Sequence, residues 1–358
     1  MVLSLGKERL LGVDVNDFKY EGKNKNAFKL RKYPTDAGVD KEESEKYHAL
    51  TAENTAKIAA LQDKLYAQGE EALLIALQAM DAAGKDSTIK KVLSGVNPQG
   101  VKVTSFKSPN SIELAHDYLW RVVNALPERG YIGVFNRSHY EDVLVVRVHE
   151  YWKHYKWASR CQDMSEAEFF KKRFEAIRAF EEHLYDNGYR IIKIFLHVGK
   201  DAQKERFLAR IEDETKNWKF SESDLKERAL WDDYMDAYEQ AIKYTSTEHN
   251  PWYIIPADKK WMTQYLVSCV VLETLKSIDP HYPEMPEDQV ARLGASKAAL
   301  LAEDGPIEDG SAEGGFAKGA SVDESELGAA AESEAEGDKE SKAKKGKKAK
   351  KDKGKKKK

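Results

Sequence analysis

The segment from residue 73 to residue 90 constrains this chain most. It reads Leu73-Leu-Ile-Ala-Leu-Gln-Ala-Met-Asp-Ala-Ala-Gly-Lys-Asp-Ser-Thr-Ile-Lys90. An apolar, strand-like run breaks into a turn of small residues ending Gly84-Lys85, then resumes with helical spacing. That is the layout of a phosphate-binding loop, in which backbone N–H groups at a helix N-terminus face an anion and one lysine adds a point charge. The match to G-x-x-x-x-G-K-[ST] is imperfect: Ala79 stands at the first glycine and Asp86 at the magnesium-binding hydroxyl, with Ser87 and Thr88 immediately after. Asp81 inside the loop would repel a phosphate unless a cation lay between them, so the loop asks for magnesium. The plainer alternative is a strand-turn-helix corner with a solvated lysine. Against it, a lysine at a helix N-terminus opposes the macrodipole and calls for an anion.

The 358 residues are 41% hydrophobic and 33% charged, enough for one large core or two modest ones beneath a polar surface. No apolar run approaches the roughly 18 residues of a membrane span, and Met1-Val-Leu-Ser-Leu is too short for a signal peptide, so a cytoplasmic protein without a membrane role is expected. Cys161 and Cys269 form neither a disulfide framework nor a zinc spacing. The net charge of -3 hides an asymmetry: residues 301–340 hold 13 acids against Lys318 and Lys339, and residues 341–358 hold 12 lysines against Asp352. Residues 286–358 therefore read as a disordered tail, acidic and then lysine-rich, that either solubilises or recruits a polyanion.

Residues 1–50 are charged and turn-rich and read as an extension wrapping the core. Helical spacing over 52–68 precedes the first strand at 72–77, and further strands are expected at 101–106, 131–135, 190–198 and 252–257. Helical patterns lie at 88–93, 112–126, 167–187, 202–214, 223–245 and 261–278. This alternation implies an α/β fold, a parallel sheet of about five strands with helices on both faces and ligands at the carboxyl ends of the strands.

Polar groups gather after those strands. Asn136-Arg-Ser-His-Tyr-Glu-Asp142 offers an amide, the rigid fork of Arg137 for phosphate oxygens, and acids Glu141 and Asp142 for hydrated magnesium. His139 is assigned a structural or orienting role, because phosphoryl transfer to a phosphate acceptor needs little base catalysis. Arg206 and Arg210 share a helix face, and the following Lys216-Asn-Trp-Lys-Phe-Ser221 carries aromatics and bases, which together form a lid over phosphates within 202–230. Asp258 follows the last strand, bordering a nucleotide or capping a helix.

Taken together, these segments resemble the polyphosphate kinase 2 family from about residue 5 to about residue 280. The resemblance rests on Met80-Asp-Ala-Ala-Gly-Lys-Asp86, Gly95-Val-Asn-Pro-Gln-Gly100 with Thr104-Ser-Phe-Lys107, Phe135-Asn-Arg-Ser-His-Tyr-Glu-Asp142, Trp218-Lys-Phe-Ser221 and Pro251-Trp-Tyr-Ile-Ile-Pro-Ala-Asp258. It implies a three-layer P-loop kinase fold over residues 51–280, with a helical lid. It also implies transfer of a terminal phosphoryl group from inorganic polyphosphate to AMP or ADP, with magnesium or manganese, in a homodimer or homotetramer that needs no nucleic acid. Asn136 in place of the aspartate of the better-known branch is similar to the subgroup acting on both nucleoside mono- and diphosphates. By this resemblance Asp81, Lys85, Asn136, Arg137, Glu141 and Asp142 are catalytic, with Asp81 and Asp142 on the metal. Substrate-binding roles fall to Ala82, Ala83, Gly84, Asp86, Ser87, Lys107, Arg121, Arg206, Arg210, Lys216, Lys219, Ser221 and Asp258. The rival readings are an ATP-dependent nucleotide kinase of the same fold and a polyanion-binding protein acting through its lysine-rich tail.

Overall fold

The computed structural model describes residues 14–155, 158 and 163–303. Cys161, the start of the N-terminal extension and the charged stretch after residue 303 lie outside the described residues.

Six strands form one sheet: β1 (Lys19–Tyr20), β2 (Ala72–Ala79), β3 (Val101–Ser105), β4 (Ile132–Asn136), β5 (Tyr189–His197) and β6 (Trp252–Pro256), in the order β1-β6-β5-β2-β4-β3. All pairings are parallel except β1 with β6. The central strand β2 is buried along its whole length. Its residues alternate between Leu73, Ile75 and Leu77 in the main core and Leu74 in a smaller cluster with Phe106, Val122, Phe135, Leu184 and Ile191. Apolar residues on both faces of a strand require cover on both sides, which the helical crossovers supply.

The helices are α1 (Ser44–Gln68), α2 (Lys85–Val92), α3 (Trp120–Val123), α4 (Val145–Val148), α5 (Glu166–Asp186), α6 (Lys200–Glu212), α7 (Glu222–Ala229), α8 (Trp231–Thr245), α9 (Lys260–Ile278) and α10 (Glu287–Glu303). α1 and α2 pack on α9, and α5 packs on α8. Two expected helices differ. The pattern over 112–126 resolves into a 3-10 turn at Glu113–Ala115 and the short α3, because the Asn110 and Asp117 side chains accept from nearby backbone N–H groups and offer the chain local turns instead. The pattern over 223–245 breaks at Leu230 into α7 and α8. Residues 287–303, assigned to the tail from sequence, form the wholly exposed helix α10, where Ala, Leu and Glu favour helix and Pro286 precedes its start. α10 belongs to a second compact unit that begins at Met285.

Register aligns the strand ends. Leu77 lies beside Asn136, Ala79 beside Leu196, and His197 beside Pro256. The loops after β2, β4, β5 and β6 therefore emerge along one edge of the sheet.

Candidate active site

β2 runs through Ala79, whose φ is ordinary, so the position where the loop motif has glycine needs none. The left-handed residues come later, at Ala82 (φ 60°) and Gly84 (φ 110°). Every carbonyl from residue 79 to residue 83 accepts from a side chain. Lys85 Nζ donates to Ala79 (2.9 Å) and Met80 (3.4 Å), Gln203 Nε2 to Asp81 (2.9 Å), and Arg206 Nη1 to Ala82 (3.0 Å) and Ala83 (2.8 Å). Arg206 Nη2 also donates to the carbonyls of Ala257 (2.5 Å) and Asp258 (3.0 Å), joining the loop to the end of β6.

Arg137 follows β4 in a left-handed conformation (φ 62°), its N–H donating to the Leu77 carbonyl at 3.0 Å. Its guanidinium donates to Asp81 Oδ1 at 2.9 Å and lies 3.9 Å from Glu141 Oε2. Burial works against the Arg137 charge, but Glu141 and Asp81 outweigh it and raise its pKa. Burial pulls the Lys85 ammonium below the usual lysine range against the pull of Asp81, and pushes the Glu141 carboxyl up against Arg137 and Lys85. Asn136 Nδ2 donates to Asp86 Oδ1 at 2.8 Å, so the two departures from the usual loop and strand-end residues bond to each other.

The sequence model of the Polyphosphate kinase 2 (PPK2) family matches residues 41–283. The chain belongs to the polyphosphate kinase 2 family. It is 51% identical over 255 residues to an ADP-polyphosphate phosphotransferase of Rhodopseudomonas palustris, covering 71% of this chain and 88% of that one. It is 44% identical over 268 residues to an AMP/ADP-polyphosphate phosphotransferase of Meiothermus ruber, covering 74% and 95%. The crystal structure of Polyphosphate Kinase 2 from Arthrobacter aurescens TC1 matches 80% of this chain and 98% of that chain, with TM-score 0.69 and 38% identity. The sheet and its loops are those of the family's P-loop kinase fold.

In this polyphosphate kinase 2 chain the other expected site residues fall in several places. Asp142, expected beside Asp81 on the metal, has other partners in this structure: it lies 3.7 Å from Arg173 and 3.5 Å from the Tyr155 hydroxyl, and burial pushes its pKa up to about 6. Ser87 donates to the Gly84 carbonyl at 2.9 Å. Arg121 pairs with Glu113 at 3.3 Å and donates to the carbonyl of the exposed Lys107 at 2.9 Å. Arg210 donates to the Lys219 carbonyl at 3.2 Å and lies 3.5 Å from Asp224, while Lys216 pairs with Asp213. Lys219 sits over the Trp218 ring at 4.9 Å, and Ser221 caps α7 by accepting from the Ser223 N–H. Asp258 accepts from the Gly199 N–H (2.6 Å) and the Thr35 hydroxyl (2.7 Å), a clasp between the extension and the turn before α6.

His139 points away from the loop into a closed polar cluster. Its Nε2 is 3.1 Å from Glu181 Oε1, which also accepts from the Tyr140 hydroxyl at 2.7 Å. Lys193 donates to Glu181 Oε2 (2.6 Å) and the Thr245 carbonyl (2.8 Å). Sequence reasoning passed over Gln203, Arg173, Glu181 and Lys193. Only Lys193 carried a signal, as a lone charge inside Ile191-Ile-Lys-Ile-Phe195 of a buried strand.

Among the described residues no three His, Cys, Asp or Glu side chains converge closely enough to cage a metal. Magnesium needs no such cage, since one or two carboxylates and substrate phosphates normally hold it. Lys85 and Arg137 are set among three acids, Asp81, Glu141 and Asp86, whose charges reach Lys85. Asp81 and Glu141, which flank the Arg137 guanidinium, are the carboxylates that would hold such an ion beside a phosphate chain.

Proposed function

We propose that the chain transfers the terminal phosphoryl group of inorganic polyphosphate to AMP or ADP, with magnesium. The observation that carries this reading is the convergence of Asp81, Lys85, Arg137 and Glu141 at aligned strand ends in a polyphosphate kinase 2 family member. Its relatives named as ADP- and AMP/ADP-polyphosphate phosphotransferases support the substrate pair.

Bound magnesium would neutralise phosphate charge beside Asp81 and Glu141. Lys85 would hold the transferred phosphoryl group as a compact cation, and Arg137, already fixed by two acids, would fork the phosphate oxygens. The N–H groups of the loop face the phosphate chain, and Asn136 holds Asp86 beside it. Such transfer needs mainly positioning and charge stabilisation. The basic lid residues Arg210, Lys216 and Lys219 would exchange their present partners for polyphosphate and shield the site from water. The proposal extends to a cytoplasmic homodimer or homotetramer acting without nucleic acid or membrane.

Purified protein given magnesium, AMP or ADP, and either polyphosphate or ATP is the direct test. Separation of the nucleotides should show ADP and ATP formed from polyphosphate. No product from polyphosphate would overturn the proposal, and product from ATP alone would favour a nucleotide kinase.

A further inference from the structure

The buried side chain of Gln203 is 1% exposed and uses both ends of its amide. Its Nε2 donates to the Asp81 carbonyl at 2.9 Å, and its Oε1 accepts from Arg228 Nη1 of α7 at 2.8 Å. Arg228 Nη1 also donates to the Lys200 carbonyl in the first turn of α6 at 2.6 Å. A continuous path therefore runs from α7, through α6, to the peptide that follows Asp81.

That peptide matters because C=O and N–H point in opposite directions across a trans peptide plane. Holding the Asp81 carbonyl toward α6 turns the Ala82 N–H away from α6. Holding the Ala83 carbonyl through Arg206 does the same for the Gly84 N–H. Ala82 has φ 60°, a left-handed conformation that is unfavourable for a residue with a Cβ and persists only when its surroundings fix it. Gln203 is the only one of the three donors to these carbonyls, with Lys85 and Arg206, that carries no charge. It has no electrostatic reason to be near a phosphate. Its geometry is that of a connector.

We propose that Gln203 is a positioning residue that couples α7 to the setting of the phosphate loop, with Arg228 as the distal member of the relay. Its catalytic consequence rests on the phosphotransferase reading above; the coupling itself does not. When α7 is seated, Arg228 fixes the amide of Gln203, which fixes the Asp81 peptide and its neighbour's N–H. When α7 shifts, the amide rotates freely and the strained loop relaxes.

Two measurements on the full chain separate these levels. The first is hydrogen–deuterium exchange over residues 80–86 in the free protein, for wild type, Arg228→Met, Gln203→Glu and Gln203→Leu. Uptake should rise about threefold or more in all of them, including Arg228→Met, which touches no loop atom. Unchanged uptake in Arg228→Met overturns the relay whatever the enzyme assay shows. The half-exposed Arg228 keeps this arm usable if a Gln203 variant fails to fold.

The second is turnover with polyphosphate and ADP. Gln203→Glu still accepts from Arg228 but cannot donate to Asp81, so it should lose kcat as far as Gln203→Leu, about tenfold, with KM shifted by less than about twofold. The Gln203→Leu/Arg228→Met double variant should be no slower than the slower single variant, the non-additivity of one shared path. Gln203→Glu at wild-type kcat, or multiplicative losses, would overturn the coupling. An inactive wild type with the exchange result intact would instead sink the phosphotransferase reading alone.

Discussion

Residues 137 to 141 serve two clusters that handle charge in opposite ways. Arg137 and Glu141 face forward, toward Asp81 and Lys85. His139 and Tyr140 face back, toward Glu181, Lys193 and Thr245. The forward side chains keep solvent access, 38% for Arg137, 25% for Asp81 and 22% for Glu141. Lys193 and Glu181 are at 0% and 1%. In the back cluster Glu181 meets Lys193, His139 and the Tyr140 hydroxyl inside the fold, and His139 Nδ1 is left without a partner. Burial shifts Lys85 and Glu141 toward their neutral forms, and it does the same to Lys193 at the back, so what separates the clusters is the solvent access of the front charges. Charge left accessible at the strand ends marks a place built for a charged ligand. Charge closed inside the fold marks a place that holds a loop still.

The sharpest way to break this comparison is Glu181→Ala. It strands the Lys193 ammonium and His139 in a dry interior, and removing one partner of a buried pair costs about 3 to 5 kcal/mol. Urea unfolding should show that loss, with Glu181→Gln intermediate because the amide keeps a hydrogen-bonding oxygen. An unchanged midpoint would mean the back cluster contributes no stability. Lys85→Ala should behave in the opposite manner. Turnover should fall by about two decades, or roughly 3 kcal/mol in the transition state, while stability falls by about 1 kcal/mol or less, because a partly compensated cation is being removed. Retention of more than half the wild-type turnover would remove Lys85 from the chemistry.

How much of this was legible beforehand follows from what each residue type reveals. The five main strands are readable because runs such as Leu73-Leu-Ile-Ala-Leu77 suit only a doubly covered strand. The helix over 112–126 is not, since Asn110 and Asp117 side chains compete with the backbone in a manner that periodicity ignores. The phosphate loop and the Arg137 group announce themselves through residue chemistry. Direction does not. Arg206 and Asp258 have the charge of ligands, yet their side chains bind backbone atoms and Thr35, and Asp142 meets Arg173 instead of Asp81. Sequence order cannot say which of two adjacent acids faces the loop. Gln203 is silent altogether, an uncharged residue on a charged helix, and its role exists only in three dimensions.

Asp142, with 15% of its side chain exposed, lies between the two clusters in access and is shifted as Glu141 is. Its pKa of about 6 lies above the ordinary 3.8 because burial penalises the carboxylate more than Arg173 favours it. An acid raised on folding binds its proton more tightly in the native state, so its contribution to stability is greatest below about pH 4 and declines as pH rises through 6. Asp142→Asn removes that slope. The variant should gain about 1.4 kcal/mol on wild type between pH 5 and pH 8, whatever constant difference the lost Arg173 pair adds. Urea midpoints at the two pH values measure it, and parallel shifts would place the Asp142 pKa outside that range.

Tyr140, which touches Glu181 and Thr245 of the back cluster, tests the comparison most finely. Tyr140 donates to Glu181 at 2.7 Å and its hydroxyl lies 2.9 Å from Thr245 Oγ1, but it is not the only partner of either. Glu181 keeps Lys193 and His139, and Thr245 Oγ1 keeps the indole N–H of Trp252 at 2.9 Å. Tyr140→Phe preserves the ring that packs edge-on against Trp252 and removes one hydrogen bond to a charged acceptor, worth about 1.5 kcal/mol. Stability should fall by that amount and kcat by less than about twofold, because Arg137 and Glu141 are fixed by Leu77, Asp81 and each other. A tenfold loss of kcat at unchanged stability would show that the back of the loop transmits to the front, and the two clusters would then be one.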